Sequence, residues 1–277
     1  MRGLTEWNDA EAYFFDLDGT IFLGGRLLPG AAELIRSLEE AGKTVGFLTN
    51  TTTQTAADCG RRLRGLGLAV RDEQVVTAAA AAAAYLAEQA PQARVLAVGE
   101  EALIAELDAQ RIRVVRTPLE ATHVVVGMDR RFDYAKLHAA SRALRSGAQL
   151  IACNPDTYCP VEGDELPDTG AMTAAIEAAS GIRASVVAGK PSPHYARVAL
   201  RRTGKAADRC VMVGDRLETD ILLGRASGMR TALVLTGAAT LEEVRAGTVM
   251  PDWIVPTLEA FAKPSDEEIF NIPITKR

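Results

Sequence analysis

Short apolar runs alternate with helical patterns along most of this chain. Residues 13–17 are apolar apart from Asp16, which is typical of a strand buried on both faces of a sheet. Pro29 then suits the first turn of a helix, and the apolar positions after it recur at helical spacing. Residues 45–48 form the next apolar run and predict a second buried strand, and residues 54–66 predict the helix that follows it.

The same alternation returns in the middle and near the end of the chain. The apolar runs that predict further strands are 95–98, 123–127, 150–153, 210–213, 231–235 and 253–255. The stretches that predict further helices are the alanine-rich 78–84, then 134–146, 171–179 and 221–226. Strands that alternate with helices indicate parallel βαβ units, so we expect an α/β fold.

Composition and charge place this chain of 277 residues among ordinary globular proteins. The formal net charge of −5 is too mildly acidic to indicate a nucleic-acid partner, and no apolar run is long enough to span a membrane. The 4 cysteines show no C-x-x-C spacing, and the N-terminus lacks the apolar core of a signal peptide. We therefore expect reduced thiols and a cytoplasmic location.

Two carboxylates follow the first predicted strand. Asp16 and Asp18 point to the same side of an extended backbone, about 6 to 7 Å apart, within the sequence DLDGT. Such a pair repels unless a cation lies nearby or one acid is protonated. Ligands of open α/β sheets bind outside the carboxyl ends of the strands, which is where this pair falls. A hard cation such as Mg²⁺, which prefers oxygen ligands, fits this position.

Further polar groups end strands or occupy stiff loops. Thr49 and Asn50 end the second predicted strand, where a hydroxyl and an amide can bind phosphate oxygens, although both residues are also common in turns. Lys190 precedes a proline in GKPSP and offers a point charge to a phosphate or to clustered carboxylates. Asp215 ends a later apolar strand, and Asp220 follows at a predicted helix start, where it could also serve as an N-cap.

Taken together, the four motifs DLDGT, TN, GKP and GDRLETD resemble those of the haloacid dehalogenase-like phosphohydrolases, in the same order. The resemblance covers most of the chain and implies a magnesium-dependent phosphatase that works through an aspartyl-phosphate. It implies that Asp16 is the nucleophile and that Asp18 is the general acid and base. The implied Mg²⁺ ligands are Asp16, the backbone carbonyl of Asp18 and Asp215, with Asp220 supporting them from behind. It implies that Thr49 and Lys190 are catalytic residues that stabilise the phosphoryl oxygens, and that Asn50 binds the substrate by helping to position those oxygens.

The spacing of the motifs bears on the domain organisation. The segment after the first motif has room for a hairpin but not for a domain, whereas the stretch between the second and third motifs has room for a small domain. The resemblance therefore narrows to the branch with an α/β cap at this place, which includes NagD-like, nitrophenylphosphatase-like and phosphoglycolate phosphatase-like enzymes. It implies a Rossmann-like three-layer core with a parallel sheet in residues 1–78 and 188–277, and an inserted α/β cap in residues 79–187.

Residues 153–172 resemble the substrate-facing segment of that cap. Asn154, Asp156 and the loop 162–170 are its candidate substrate-binding residues, although the segment is equally typical of an ordinary turn-rich loop. Its acids suit a polyhydroxylated leaving group better than a strongly anionic one, which favours sugar or polyol phosphates among small phosphorylated metabolites. Phosphoglycolate and nucleotide 5′-monophosphates remain alternatives. The resemblance also implies a homodimer that forms through the cap.

Other classes of protein fit the sequence less well. A P-loop at AGKT is excluded because the glycine that it requires upstream is replaced by Ser37. A receiver-type signalling module would be much shorter and would carry no inserted domain. A non-catalytic phosphate-binding protein should have lost a motif acid, and all of them are present. A phosphotransferase or mutase is the closest rival, because an aspartyl-phosphate can pass to a hydroxyl group instead of to water.

Overall fold

A computed structural model describes residues 4–161 and 163–262 of the chain. The packing of Cα atoms divides the chain into two compact units. The first unit comprises Met1–Leu48, Arg61–Gln74 and Ala199–Arg277, and the second comprises Thr49–Gly60 and Val75–Val198. The division by motif, with residues 79–187 as the inserted domain, remains a prediction.

The strands account for most of the apolar runs in the sequence. In chain order they are β1 (Ala12–Phe15), β2 (Phe22–Leu23), β3 (Arg26–Leu27), β4 (Thr44–Thr49), β5 (Val75–Thr77), β6 (Arg94–Val98), β7 (Arg113–Val114), β8 (His123–Val126), β9 (Gln149–Ala152), β10 (Tyr158–Val161), β11 (Asp164–Pro167), β12 (Val186–Val187), β13 (Cys210–Gly214), β14 (Arg230–Val234) and β15 (Trp253–Val255). Each predicted strand is present within one or two residues of its expected bounds.

The helices follow the strands as the alternating pattern predicted. In chain order they are α1 (Leu4–Asn8), α2 (Ala31–Glu40), α3 (Ala56–Gly65), α4 (Ala78–Gln89), α5 (Glu101–Ala109), α6 (Tyr134–Arg145), α7 (Thr169–Ser180), α8 (Pro193–Thr203), α9 (Leu222–Ala226), α10 (Leu241–Ala246) and α11 (Glu259–Ala262). A π-helical turn at Leu217–Ile221 leads directly into α9. The helix predicted at 221–226 is therefore correct, and the turn before it was not predicted.

In the first unit, five strands pair side by side in the order β15-β14-β13-β1-β4, and every pairing is parallel. β1 lies between two neighbours, with Phe15 opposite Val213 of β13 and opposite Phe47 of β4. All residues of β1, β13 and β14 are buried, which the continuous apolar runs predicted. The carboxyl ends of β1 and β13 therefore lie next to each other at one edge of the sheet.

A short antiparallel hairpin follows β1. Strands β2 and β3 pair with Phe22 opposite Leu27 and Leu23 opposite Arg26. Gly24 has a φ of +56° in the turn between them, a left-handed conformation that glycine adopts without a steric penalty. The segment after the first motif thus forms the hairpin for which the sequence had room.

The second unit contains a five-stranded parallel sheet in the order β12-β9-β8-β6-β7. The alanine-rich run predicted as a helix forms most of α4. The Thr77 hydroxyl caps this helix by accepting a hydrogen bond from the Ala80 backbone nitrogen at 3.1 Å. Alanines 78–83 are all buried, because their short side chains allow neighbouring elements to approach the helix closely.

The hairpin of β10 and β11 lies within the segment 153–172. Its antiparallel register places Tyr158 opposite Pro167, and Gly163 adopts a φ of +77° in the turn. The sequence did not predict these strands, because proline is rare inside strands and both of them contain one. Glu162, at the start of the predicted substrate-facing loop, lies outside the described residues.

Two parallel sheets with helical connections confirm the predicted α/β class. Within residues 4–161 and 163–262, no helix has both the length and the apolar surface that crossing a bilayer requires. All four cysteines lie in the described part of the chain and form no disulfide.

Candidate functional site

Three of the predicted acids meet at the edge of the first unit's sheet. Asp16 follows β1, Asp215 follows β13, and Asp220 lies in the π-helical turn. One carboxylate oxygen from each of the three lies within 4.8 Å of the others, and all three residues are buried. The backbone nitrogen of Asp16 donates to the carbonyl oxygen of Val213 at 2.9 Å, which extends the pairing of β1 with β13 up to the carboxylates.

Backbone groups hold two of these carboxylates in place. The Asp215 Oδ2 accepts a hydrogen bond from the Ala238 nitrogen at 2.7 Å. The Asp220 Oδ2 accepts one from the Arg216 nitrogen at 3.1 Å, across the start of the π-helical turn. The π-helical turn therefore directs the Asp220 side chain back toward the end of β13. Asp220 lies inside this turn and is not the N-cap of a helix.

Glycines line the space that the carboxylates occupy. A Cβ atom on Gly237 would overlap the Asp215 Oδ2, and a Cβ atom on Gly214 would overlap the Asp220 side chain. Gly19 has a φ of +89°, and a Cβ atom there would lie 2.6 Å from the Asp215 Oδ2. None of these glycines was predicted as a site residue. Gly19 and Gly237 meet Asp215 only through the fold, and Gly214 meets Asp220 through the π-helical turn.

The carboxylate cluster has the chemistry of a divalent-cation site. Three buried carboxylates at this separation repel one another strongly unless a cation lies among them. Their oxygen atoms are the ligands that Mg²⁺ and Ca²⁺ prefer. Among the residues that the structure describes, this is the one group of three or more His, Cys, Asp or Glu side chains close enough to share a metal ion.

Asp18 differs from these acids in exposure. Its side chain is 57% exposed, and its Oδ1 lies 4.0 Å from the Arg62 Nη2. The backbone bridge between Asp18 and Phe22 ties the residue to the start of the β2–β3 hairpin. Asp18 is therefore accessible to a ligand, whereas the three buried carboxylates face one another.

The other predicted residues converge within the second unit. The Asn50 Oδ1 accepts from the backbone nitrogen of Lys190 at 2.9 Å, and the Asn50 Nδ2 donates to the Lys190 carbonyl oxygen at 3.2 Å and to the Asp156 Oδ2 at 3.0 Å. The Asn154 Nδ2 donates to the Asn50 carbonyl oxygen at 2.7 Å, and its Oδ1 accepts from the Asp156 nitrogen at 3.0 Å. These contacts join the predicted second and third motifs to the segment 153–172.

Thr49 and Lys190 are both buried, Lys190 with only 2% of its surface exposed. The Tyr195 hydroxyl donates to the Thr49 carbonyl oxygen at 3.0 Å, and the Thr49 Oγ1 accepts from the Thr51 nitrogen at 3.2 Å. Hydrogen bonds thus hold the backbone on both sides of Asn50. Tyr195 was not predicted, and the sequence gives no signal for it apart from its closeness to the third motif.

Asp168 is a buried acid that the sequence analysis did not single out. It caps α7, and its Oδ1 accepts a hydrogen bond from the Thr169 hydroxyl at 2.9 Å. Burial raises the pKa of the Asp168 carboxyl, and the nearby charge of Asp156 raises it further, against the lowering effect of its hydrogen bonds. Asp156 therefore accepts a hydrogen bond from the Asn50 amide and carries a charge that acts on a second acid, Asp168.

An ion pair elsewhere in the second unit gives a prediction for stability. Arg130 donates three hydrogen bonds to Glu100: Nε to Oε1 at 2.7 Å, Nη2 to Oε2 at 2.6 Å, and the backbone nitrogen to Oε1 at 3.1 Å. These hydrogen bonds lower the pKa of Glu100 from its usual 4.5 to about 2. Because the folded-state pKa is depressed, the pair stabilises the fold above pH 4.5, and this contribution disappears as the pH falls toward 2.

We expect Glu100→Gln to lower the free energy of unfolding at pH 7 by about 1 kcal/mol, since Arg130 is largely exposed and solvent screens the pair. Urea unfolding at several pH values between 3 and 7 should show the gap between the two proteins narrowing below pH 4.5. Glu101→Gln, on the exposed neighbouring residue, is the control. A gap that stays constant across this range would contradict the assignment.

Two family descriptions match the chain. The first, haloacid dehalogenase-like hydrolase, matches residues 13–113, and the second, HAD-hydrolase-like, matches residues 187–261. Among proteins of known name, the sugar-phosphatase AraL of Bacillus subtilis (strain 168) is 34% identical over 254 residues, which are 92% of this chain and 93% of that protein.

Solved structures of similar proteins have the same fold over nearly the whole chain. The 4-nitrophenylphosphatase of Thermotoga maritima gives a TM-score of 0.88 at 35% identity and covers 93% of this chain and 98% of its own. NagD of E. coli K-12 gives a TM-score of 0.83 at 34% identity and covers 90% of this chain and 97% of its own. The glycerol phosphate phosphatase of Mycobacterium tuberculosis was solved in complex with calcium. It gives a TM-score of 0.84 at 35% identity and covers 92% of this chain and 76% of its own.

These matches and the carboxylate cluster agree with the resemblance read from the four motifs. The fold is a Rossmann-like core with an inserted α/β cap, as in the NagD-like structures. The chain is therefore a phosphatase that belongs to the haloacid dehalogenase-like hydrolases, in their NagD-like and nitrophenylphosphatase-like branch.

Proposed function

We propose that the protein hydrolyses small phosphomonoesters with the help of Mg²⁺, and that sugar and polyol phosphates are its preferred substrates. The observation that carries this proposal is the buried cluster of Asp16, Asp215 and Asp220 at the ends of β1 and β13. The similar proteins named for a sugar phosphatase and a glycerol phosphate phosphatase support the choice of substrate class.

The proposed reaction has two steps. Asp16 attacks phosphorus, the bond from phosphorus to the leaving oxygen breaks, and an aspartyl-phosphate forms. Asp18 donates a proton to the leaving oxygen, which departs as an alcohol. Asp18 then accepts a proton from water, whose oxygen attacks phosphorus. The bond between phosphorus and the Asp16 oxygen breaks, which releases inorganic phosphate and regenerates the Asp16 carboxylate. The exposure of Asp18 supports this role, because a proton shuttle has to reach both the leaving group and water.

The three buried carboxylates fit a magnesium ion. We assign Asp16, the Asp18 carbonyl and Asp215 as its ligands, and Asp220 as the residue that supports them. The Asp220 oxygen is close enough to the other two carboxylates to share the ion with them. When bound, Mg²⁺ supplies positive charge that offsets the charges of the carboxylates and of the phosphoryl group.

The phosphoryl oxygens are assigned to Thr49 and Lys190, and Asn50 is assigned to help position them. Asn50 supports this assignment, because its amide pairs with both backbone polar groups of Lys190 and so fixes the two motifs relative to each other. Asn154 uses both ends of its side chain within the same network. We therefore propose that Asn154 positions Asn50 and that Asp156 is the more suitable of the two for substrate contact.

Several alternatives share this machinery. Phosphoglycolate or a nucleotide 5′-monophosphate would use the same residues with a different leaving group. A phosphotransferase or mutase would pass the phosphoryl group to an alcohol in place of water. A non-catalytic phosphate-binding protein is the remaining alternative, and it gains no support from the intact set of motif acids.

The test is phosphate release from a panel that contains glycerol phosphate, a hexose phosphate, phosphoglycolate, a nucleotide 5′-monophosphate and p-nitrophenyl phosphate. With Mg²⁺ we expect turnover of several members and the highest kcat/KM for a sugar or polyol phosphate. EDTA should lower turnover by about 100-fold or more, and added Mg²⁺ should restore it. A folded protein that releases no phosphate from any member would contradict the proposal, and added glycerol or glucose as acceptor would then test phosphoryl transfer.

Location and assembly complete the proposal. We place the enzyme in the cytoplasm, because all four of its cysteines remain as thiols. We propose a homodimer that forms through the cap, on the basis of the family resemblance alone. Sedimentation equilibrium of the full chain tests this assembly.

A further inference from the structure

A single side chain, that of Arg62 on α3, contacts three parts of the segment that begins at Asp18. Its guanidinium carbon lies 3.9 Å from the centre of the Phe22 ring. Its Nη2 donates a hydrogen bond of 2.8 Å to the carbonyl oxygen of Gly24, at the tip of the β2–β3 hairpin. The same nitrogen lies 4.0 Å from the Asp18 Oδ1.

The hairpin needs such an anchor. Each of its strands has two residues, and a hairpin of this size is only marginally stable in isolation. Its turn contains two glycines, and a Cβ atom on either would meet no other atom within 4 Å, so the tip packs against little. Phe22 is buried and forms a backbone bridge with Asp18, so whatever holds Phe22 also fixes the direction of Asp18.

Arginine is suited to these contacts in a way that lysine is not. Its planar guanidinium stacks on an aromatic face while its N–H groups point outward to other acceptors in the same plane. Arg62 thus contacts the ring and the hairpin carbonyl directly, and its positive charge lies 4.0 Å from the Asp18 carboxylate.

We propose that Arg62 is a positioning residue that holds the β2–β3 hairpin and aims the Asp18 carboxylate at the oxygen of the leaving group. The inference rests on the proposed function, because it assigns Asp18 the task of protonating that oxygen. Arg62 acts through Asp18 and takes no part in the making or breaking of bonds.

Substrates with different leaving groups distinguish a positioning role of Arg62 from a general structural role. An alkoxide such as that of glycerol or a sugar needs a proton as it leaves, whereas p-nitrophenolate is stable without one. The ratio kcat/KM covers only the steps up to release of the leaving group, so the later hydrolysis of the aspartyl-phosphate does not affect it. A displaced Asp18 carboxylate should therefore lower kcat/KM for an alkyl phosphate. It should leave kcat/KM for p-nitrophenyl phosphate nearly unchanged.

The experiment compares Arg62→Met with the wild type on glycerol phosphate, or on whichever alkyl phosphate the panel favours, and on p-nitrophenyl phosphate. We expect kcat/KM to fall by about 10-fold or more for the alkyl ester and by less than about 3-fold for the aryl ester. Arg62→Lys, which keeps the charge but loses the planar fork, should recover only part of the loss. Arg64→Met is the matched control, since Arg64 lies on the same helix and pairs with Asp72 instead.

A measurement without substrate accompanies the kinetics. Hydrogen exchange of the hairpin amides, residues 22–27, should accelerate in Arg62→Met and stay unchanged in Arg64→Met. Phe22→Leu removes the aromatic face and keeps the arginine. It should lower kcat/KM for the alkyl ester and accelerate hairpin hydrogen exchange, both by a smaller amount than Arg62→Met. It also keeps the test available if Arg62→Met fails to fold.

Equal losses of kcat/KM on the two esters, or unchanged hairpin exchange, would overturn the inference. Asp16→Asn in the same assay keeps this outcome separate from the proposed function. If Asp16→Asn is inactive and the two esters suffer equally in Arg62→Met, only the role of Arg62 is wrong. If Asp16→Asn retains turnover, the proposed mechanism is wrong and the inference falls with it.

Discussion

Asp16→Asn should lower phosphate release by a factor on the order of 10⁴ or more, for every substrate that the wild type accepts. Asparagine has nearly the shape of aspartate, but its amide does not attack phosphorus. The substitution also removes one charge from a cluster of three buried carboxylates, so like-charge repulsion in the metal-free protein decreases. The loss of activity should therefore come without loss of the fold.

The measurement is initial-rate phosphate release with Mg²⁺, together with circular dichroism and thermal unfolding of both proteins. Asp108→Asn, which makes the same chemical change at an exposed position of α5, should behave like the wild type. Acid quenching during turnover, followed by peptide mass spectrometry, should locate phosphate on Asp16 in the wild type. Phosphate on another residue, or full activity of Asp16→Asn, would rule out Asp16 as the nucleophile.

Gly237→Ala should lower the activity of the enzyme by about 100-fold, although Gly237 takes no part in the chemistry. The added methyl group would overlap the Asp215 Oδ2, so the carboxylate has to move away from its hydrogen bond with Ala238. A displacement of about 1 Å in such a site costs about 100-fold in rate. The same displacement should weaken the response of the protein to Mg²⁺.

Thermal unfolding with and without Mg²⁺ gives a readout that is independent of turnover. Mg²⁺ at about 100 times its dissociation constant stabilises a folded protein by about 2.7 kcal/mol. We expect the corresponding rise in Tm for the wild type and little rise for Gly237→Ala. Gly65→Ala is the control, since a Cβ atom at Gly65 would meet nothing within 4 Å. An unchanged Mg²⁺ response in Gly237→Ala would mean that Asp215 is not a ligand.

The acids of the site could be predicted because their positions follow from local patterns. Asp16 and Asp215 each end a continuous apolar run, and such runs become neighbouring parallel strands in an α/β sheet. Asp220 could be linked to them through the motif GDRLETD. The backbone donors that orient these acids could not be predicted, because the Ala238 nitrogen comes from a loop whose path no local pattern specifies.

Arg62 illustrates the same limit for side chains. On the helix pattern of α3 it looks like one of several exposed basic residues, with Arg61 and Arg64 beside it. Only the path of the hairpin after Asp18 distinguishes it from Arg64. The network of Asn50, Asn154 and Lys190 was likewise visible in the sequence only as three separate candidates, since the hydrogen bonds that join them connect residues far apart in the chain.

Because β1 pairs with β13, an active enzyme can form only after the ribosome has synthesised β13. Ala12 lies opposite Cys210, so β1 leaves the ribosome long before one of its two neighbours has been made. The strands of the five-stranded sheet, β6 to β9 and β12, are all synthesised in the interval and can pair with one another first. Until β13 has been made, one side of β1 has no hydrogen-bonded neighbour, and unpaired strand edges favour misassociation. A nascent chain that ends before Cys210 cannot assemble the three carboxylates, however well its other parts have folded.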